Sequence, residues 1–276
     1  VPLPLPLYGQ IPELIDAGDA DRYLRPGSST ILFPKAFVMA PYLAEFVGTA
    51  LIVLLGNGVV ANVLLSKTHG NGSGLIVITV GWAMAVFVGV FVAASSSGAH
   101  LNPAVTLALA VAGKFTWDGV PGYIASQMLG GMTGAFLVWL VYRHHFAETE
   151  DGNLKLAAFC TAPAIRNKFS NVVSEVVGTF VLVYCVLNIA SPTMGLGALD
   201  ALPVALLVMS IGVSLGGTTG YAINPARDLG PRLMHALLPI PDKRDSDWGY
   251  ALVPVIGSIC GGVLAALVFS LQMSAT

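Results

Sequence analysis

Two Asn-Pro-Ala triplets recur in a chain of 276 residues, Asn102-Pro103-Ala104 and Asn224-Pro225-Ala226. A primary amide carries two N–H donors and one acceptor, and proline suits the first turn of a helix. Each triplet therefore reads as the start of a short helix. Behind them lie LNPAVTLALAVA (101–112) and INPARDLGPRLMHALL (223–238), apolar or weakly charged and too short to span a bilayer. Ahead of them lie the glycine-containing stretches SSSGAH and GGTTGY. A short helix after irregular backbone is allowed at membrane depth only where it lines a cavity or is buried in protein. Both segments are thus candidate re-entrant half-helices.

The chemistry of such a pair follows from its ends. A helix N-terminus carries unsatisfied N–H groups and roughly half a positive elementary charge. Two of them meeting at mid-depth repel a cation and admit a neutral hydroxyl. The Asn102 and Asn224 amides can each donate to a passing oxygen. Its own hydrogens then point apart along the path, and a file of hydrogen-bonded water can no longer relay protons. Plain capping is the simpler reading of either asparagine, but it does not account for the second copy.

Other polar residues sit where they are costly. Arg227 follows the second triplet directly, and an arginine at membrane depth is functional by default. An ion pair with Asp228 is the plainer alternative. Glu45 and Glu175 lie inside apolar runs, where each is a proton-relay candidate. Cys160, Cys185 and Cys260 make no CxxC, and the five histidines lack metal-ligand spacing, so neither a disulfide framework, a metal nor a cofactor is expected. There is no nucleophile–base pair, HExxH or carboxylate dyad to suggest an enzyme.

The elements that must hold these residues are read from hydropathy. Hydrophobic residues make up 55% of the chain and charged residues 10%, against about 25% charged in a soluble domain. Such a chain expects lipid around it, and its net charge of −2 points to no nucleic-acid partner. Six apolar segments long enough to cross fall near 40–65, 74–96, 119–143, 170–190, 201–218 and 248–272. No cleavable signal peptide is expected. Residues 1–37 read as a proline-rich, extended arm that packs on the surface, with a plug for the inner mouth around Tyr8 as the alternative.

The chain also repeats itself. AEFVGT (44–49) returns as SEVVGT (174–179), and SGAHLNPAV (97–105) as TGYAINPAR (219–227). Each half, about 40–143 and 170–272, reads helix, helix, half-helix, helix. Three spans are an odd number, so the second half enters from the opposite side. An inverted repeat with broken helices puts its site near the bilayer midplane. Gly48, Gly130, Gly134, Gly178, Gly257, Gly261 and Gly262 read as helix-contact positions. Basic residues are unevenly divided between the two sides. Arg22, Arg25, Lys35 and Lys114 lie on the N-terminal side, and Lys67, Arg143, Lys155, Arg166, Lys168, Lys243 and Arg244 on the other. Positive-inside counting alone would put the N-terminus outside.

On the paired triplets, the matched glutamates and the repeat, residues 41–271 resemble the aquaporin and glycerol-facilitator (major intrinsic protein) family, in its aquaglyceroporin branch. The resemblance implies an all-α membrane protein of six transmembrane helices and two half-helices, residues 38–276 forming the channel. It implies a homotetramer in the cell membrane with both termini cytoplasmic, against the charge count, passing glycerol and water, with urea a further candidate solute. It implies that Gly98, Ala99, His100 and Leu101, with Gly220, Tyr221, Ala222 and Ile223, present a ladder of carbonyls to the solute. Trp82, Gly212, Tyr221 and Arg227 become the selectivity filter, with Gly212 leaving room and Trp82 and Tyr221 an apolar corner opposite Arg227. Tyr221 departs from the commoner phenylalanine. Glu45 and Glu175 become braces for the re-entrant loops, and Asp228 helps hold the outer loop. A water-selective channel of the same fold is the alternative. A secondary active transporter would need a titratable or ion-binding group where this chain has neutral asparagines.

Overall fold

A computed structural model of the protein describes residues 39–189 and 197–275. The arm at 1–37 and most of the SPTMGLGALD segment lie outside the described residues. Among those described, every regular element is a helix. Six are long and apolar enough to cross a membrane: α1 (Pro41–Leu64), α2 (Leu75–Ser97), α4 (Val120–Glu148), α6 (Lys168–Asn188), α7 (Leu202–Thr219) and α9 (Leu252–Ser274). With Leu140, Val141, Leu206, Leu252 and Leu271 turned outward on them, the chain is an integral membrane protein. Two short helices complete the halves, α3 (Pro103–Val111) in the first and α8 (Pro225–Leu237) in the second. A further one, α5 (Gly152–Ala157), lies between α4 and α6.

The element ends follow local chemistry. Asn102 caps α3 through Oδ1, which accepts from Ala104 N at 2.9 Å, and Asn224 caps α8 through contacts from Ala226 N at 3.0 Å and Arg227 N at 3.3 Å. Proline opens both helices, where a missing N–H costs nothing. The irregular stretches are shorter than the sequence suggests. The serines of SSSGAH complete α2, and GGTT completes α7. Each helix then stops on a left-handed glycine, Gly98 or Gly220, both at φ 80°. α4 also runs past the expected 143 to Glu148.

Packing repeats as the sequence does. α1 rests on α2 and α4, and α6 on α7 and α9. Each half-helix packs chiefly on the last helix of the other half, α3 on α9 and α8 on α4. Close approach there needs glycine. A Cβ on Gly131 would lie 2.5 Å from the Ala226 carbonyl oxygen, and one on Gly262 would lie 2.9 Å from that of Ala104. Gly130, Gly134, Gly257 and Gly261 likewise face backbone of a neighbouring helix, while Gly48 and Gly178 face the side chains of Leu101 and Ile223.

Candidate functional site

The two triplets meet. Asn102 Nδ2 donates to Ile223 O at 2.8 Å, and Asn224 Nδ2 donates to Leu101 O at 2.9 Å. Each half thus hydrogen-bonds the backbone just ahead of the other's half-helix. An amide has a second N–H, and neither asparagine's second one has a protein acceptor among the described residues.

The stretches leading into the triplets share one backbone pattern. Gly98, Ala99 and Leu101 have φ of 80°, 52° and 50°, and Gly220, Tyr221 and Ile223 have 80°, 39° and 43°. Positive φ in a β-branched residue such as Ile223 is strained and persists only where the surroundings enforce it. The enforcing groups are the two buried glutamates. Glu45 accepts from His100 N at 2.9 Å and Leu101 N at 2.7 Å, and Glu175 accepts from Ala222 N at 3.1 Å and Ile223 N at 2.9 Å. With their N–H groups turned to a carboxylate, these peptides leave their carbonyls for the other side. His100 supports the first loop from behind, its ring packed on Phe115 and Tyr123 and its Nδ1 3.2 Å from Thr106 Oγ1. Gln127 ties Thr106 and Glu45 together, at 2.9 and 2.7 Å. Neither Thr106 nor Gln127 stands out in the sequence, because nothing in an α3 or α4 pattern marks a side chain that bridges to a partner 82 residues away.

Two cavities adjoin this seam. One, of about 160 Å³, is lined by Ile52, Val86, Leu182 and Val208 together with residues 98–102 and 221–224. Apolar side chains and polar backbone therefore share its wall. The other, of about 180 Å³, lies toward the face where α1 ends and is lined by Val60, Ile78, Cys160, Thr161, Ala162 and Gly220 among others. Trp82, Tyr221 and Arg227 line both. They are the residues at which the two cavities adjoin, the place expected of the narrows.

The narrows differ from the expected corner in two respects. Arg227 does not stand opposite Trp82, for its guanidinium lies over the indole at 4.0 Å from the ring centroid, a cation–π contact. Its side-chain donors meet no protein acceptor among the described residues. Gly212 lines neither cavity. The space its missing side chain leaves is taken by Tyr221, whose Cζ lies 2.8 Å from where a Cβ would be, and by Thr79. Trp82 is seated in the same way, since a Cβ on Gly56 would strike its six-membered ring. Two small residues thus set the depth of the two aromatic ones. The Tyr221 hydroxyl and Trp82 Nε1 are buried and have no hydrogen-bond partner among the described residues.

Asp228 does not pair with Arg227. Its Oδ1 accepts from Arg232 Nε at 3.0 Å and Nη2 at 2.8 Å, and its Oδ2 from Thr161 N at 2.8 Å and Oγ1 at 2.6 Å. The α5–α6 loop is thereby fastened to α8. Asn57 adds a second fastening, donating to Phe159 O at 2.8 Å. Arg232 is missing from the sequence-level site, although its place four residues after Asp228 on a helix is a usable signal. No cluster of His, Cys, Asp and Glu suited to a metal ion occurs among the described residues.

Comparison with known proteins fits this arrangement. The family description "Major intrinsic protein" matches residues 34–269. A probable glycerol uptake facilitator protein of Thermotoga maritima is 56% identical over 232 residues, covering 84% of this chain and 99% of that protein. The glycerol uptake facilitator protein of Streptococcus pneumoniae strain R6 is 51% identical over 234 residues, covering 85% and 100%. The solved aquaglyceroporin from Plasmodium falciparum superposes with a TM-score of 0.73 at 29% identity, covering 83% of this chain and 94% of that one.

Proposed function

Because this chain belongs to the major intrinsic protein family, we propose that it is a passive channel for glycerol, related small neutral polyols and water, and not an enzyme. The observation that carries the reading is the narrows of Trp82, Tyr221 and Arg227 between two cavities, with the joined asparagines beside it. The relatives named as glycerol uptake facilitators support the same solute.

A polyol has a CH-bearing back and a hydroxyl edge. The back can lie on Ile52, Val86, Leu182 and Val208. The hydroxyls can accept from Arg227 and the free asparagine N–H groups and donate to the carbonyls of Gly98, Ala99, His100, Tyr221 and Ala222. A hydroxyl stripped of water and left unpaired costs about 1–3 kcal/mol, so a continuous run of partners lowers the barrier for glycerol but not for an alkane-like solute. Ions gain no such compensation. The fixed guanidinium and the two half-helix N-termini oppose cations and hydronium, and the asparagine pair orients water so that its proton relay is interrupted. Glu45, Glu175 and Asp228 act as braces in this scheme.

We also place residues 1–37 as a cytoplasmic arm, residues 38–276 as the channel, both termini in the cytoplasm of a cell-membrane homotetramer, and one pore in each subunit. Against the opposing count of basic residues we set the engagement of several of them. Lys155 donates to Pro241 O, Lys243 to the carbonyls of His235, Ala236 and Leu238, Arg166 to Asp247 and Lys67 to Glu148. Lys155 is buried, so its charge serves the fold.

Stopped-flow light scattering on proteoliposomes tests the reading. Glycerol and water permeabilities should both exceed those of empty vesicles, with no dependence on a proton or sodium gradient. Glycerol flux equal to the protein-free background, beside raised water flux, would favour the water-selective alternative instead.

A further inference from the structure

The pairing of Asp228 away from its neighbour has an electrostatic consequence at the narrows. Asp228 and Arg232 are both fully buried and form an ion pair at 2.8 Å. Arg232 uses its other donors on Thr161 O at 2.8 Å, Ser246 O at 2.8 Å and Asp247 O at 3.3 Å. It lines neither cavity. The remaining charged groups nearby are already engaged. Arg166 pairs with Asp247, Glu175 takes the Ala222 and Ile223 N–H groups, and Lys243 caps carbonyls.

Successive residues on a helix point in different directions, so Asp228 could not easily touch Arg227 even if freed. It need not touch it. A buried carboxylate one residue away acts through a medium that screens poorly, and an uncompensated Asp228 would offset much of the Arg227 charge. We propose that Arg232 is a positioning residue for selectivity: by neutralising Asp228 it leaves Arg227 as the uncompensated charge at the narrows, so cation exclusion depends on Arg232 although it never meets the solute. This rests on the channel reading of the same site.

The charge sum gives a test that packing alone would not pass. Full-length wild type, R232M and the double variant D228N/R232M would be reconstituted into proteoliposomes carrying a trapped pH dye. Leak of protons and of potassium would be measured at external pH 5 to 9, and glycerol and water flux recorded per folded protein. R232M removes one positive charge and should leak cations about tenfold faster than wild type. D228N/R232M restores the sum and should return to within about twofold of wild type. If R232M fails to fold, R232Q makes the same charge change while keeping a donor. A charge-changed variant that is ion-tight throughout this pH range, or a double variant as leaky as the single, overturns the inference. A wild type that passes no glycerol overturns the channel reading instead.

Discussion

At the scale of single residues, the narrows depend on what is missing as much as on what is present. Gly212 is legible in the sequence as a small position, and its absent side chain suggests open space. The structure gives that space to the Tyr221 ring and the Thr79 methyl. Spacing along a chain reports which residue types are available, but not which neighbour fills a gap. G212H should therefore act by displacing Tyr221 toward Arg227. Glycerol flux should fall about tenfold or more while water falls far less, in the paired shrinkage assay. Equal losses of both solutes would point to a collapsed channel. Y221F is a gentler probe. Among the described residues the hydroxyl has no hydrogen-bond partner, and a buried group left so costs on the order of 1–3 kcal/mol. The variant should match or exceed the wild-type Tm in detergent, and a clear drop in Tm would mean that the hydroxyl has a partner in the membrane.

At the scale of elements, most of the architecture is readable from the sequence. Six apolar runs, two interrupted short ones and a repeated Glu-x-x-Gly-Thr sequence suffice for the order of helices, because bilayer thickness fixes span length and the triplets fix where half-helices begin. The ends are less legible. SSS and GGTT look like loop composition, yet each continues its helix to a left-handed glycine, since packing outweighs weak propensity. Nothing in the sequence separates Gly131 from Gly130 beside it, though Gly131 is the seat of the second half-helix. G131A would put a methyl group 2.5 Å from a backbone oxygen. Neither partner is a flexible side-chain tip, so overpacking should cost about 1–3 kcal/mol. G58A, in the same apolar class but with nothing within 4 Å of its Cβ, should hold or raise Tm through helix propensity. Fluorescence-detected melting of the two variants gives the comparison, and similar Tm values would remove the notch argument.

At the scale of the molecule, the end of α8 and the segment before α9 form a compact polar cap in which His235 is buried, its Nδ1 2.9 Å from Ser246 Oγ. Burial, then the charges of Lys243, Arg232 and Arg244, hold its pKa at about 4, below the ordinary 6.5. The folded protein thus binds fewer protons than the unfolded chain between those values. Stability is fully present above pH 6.5, is lost as pH falls toward 4, and levels off below. Tm measured from about pH 7 to about pH 4 should decline over that interval, and H235Q should flatten the slope. An unchanged slope in H235Q would assign the decline to other groups.

The crossed asparagine bonds span 121 and 123 residues of sequence. A nascent chain therefore threads its first half into the bilayer long before Ile223 and Asn224 have been translated. Until then the Asn102 donor aimed at Ile223 and the Leu101 carbonyl aimed at Asn224 lack their partners, at a depth where water is scarce. Biogenesis must end with the two halves being fastened together, and the aqueous route can be finished only in that last step. Co-expressed halves cut between α4 and α5 should accordingly regain flux together and show none when either is made alone.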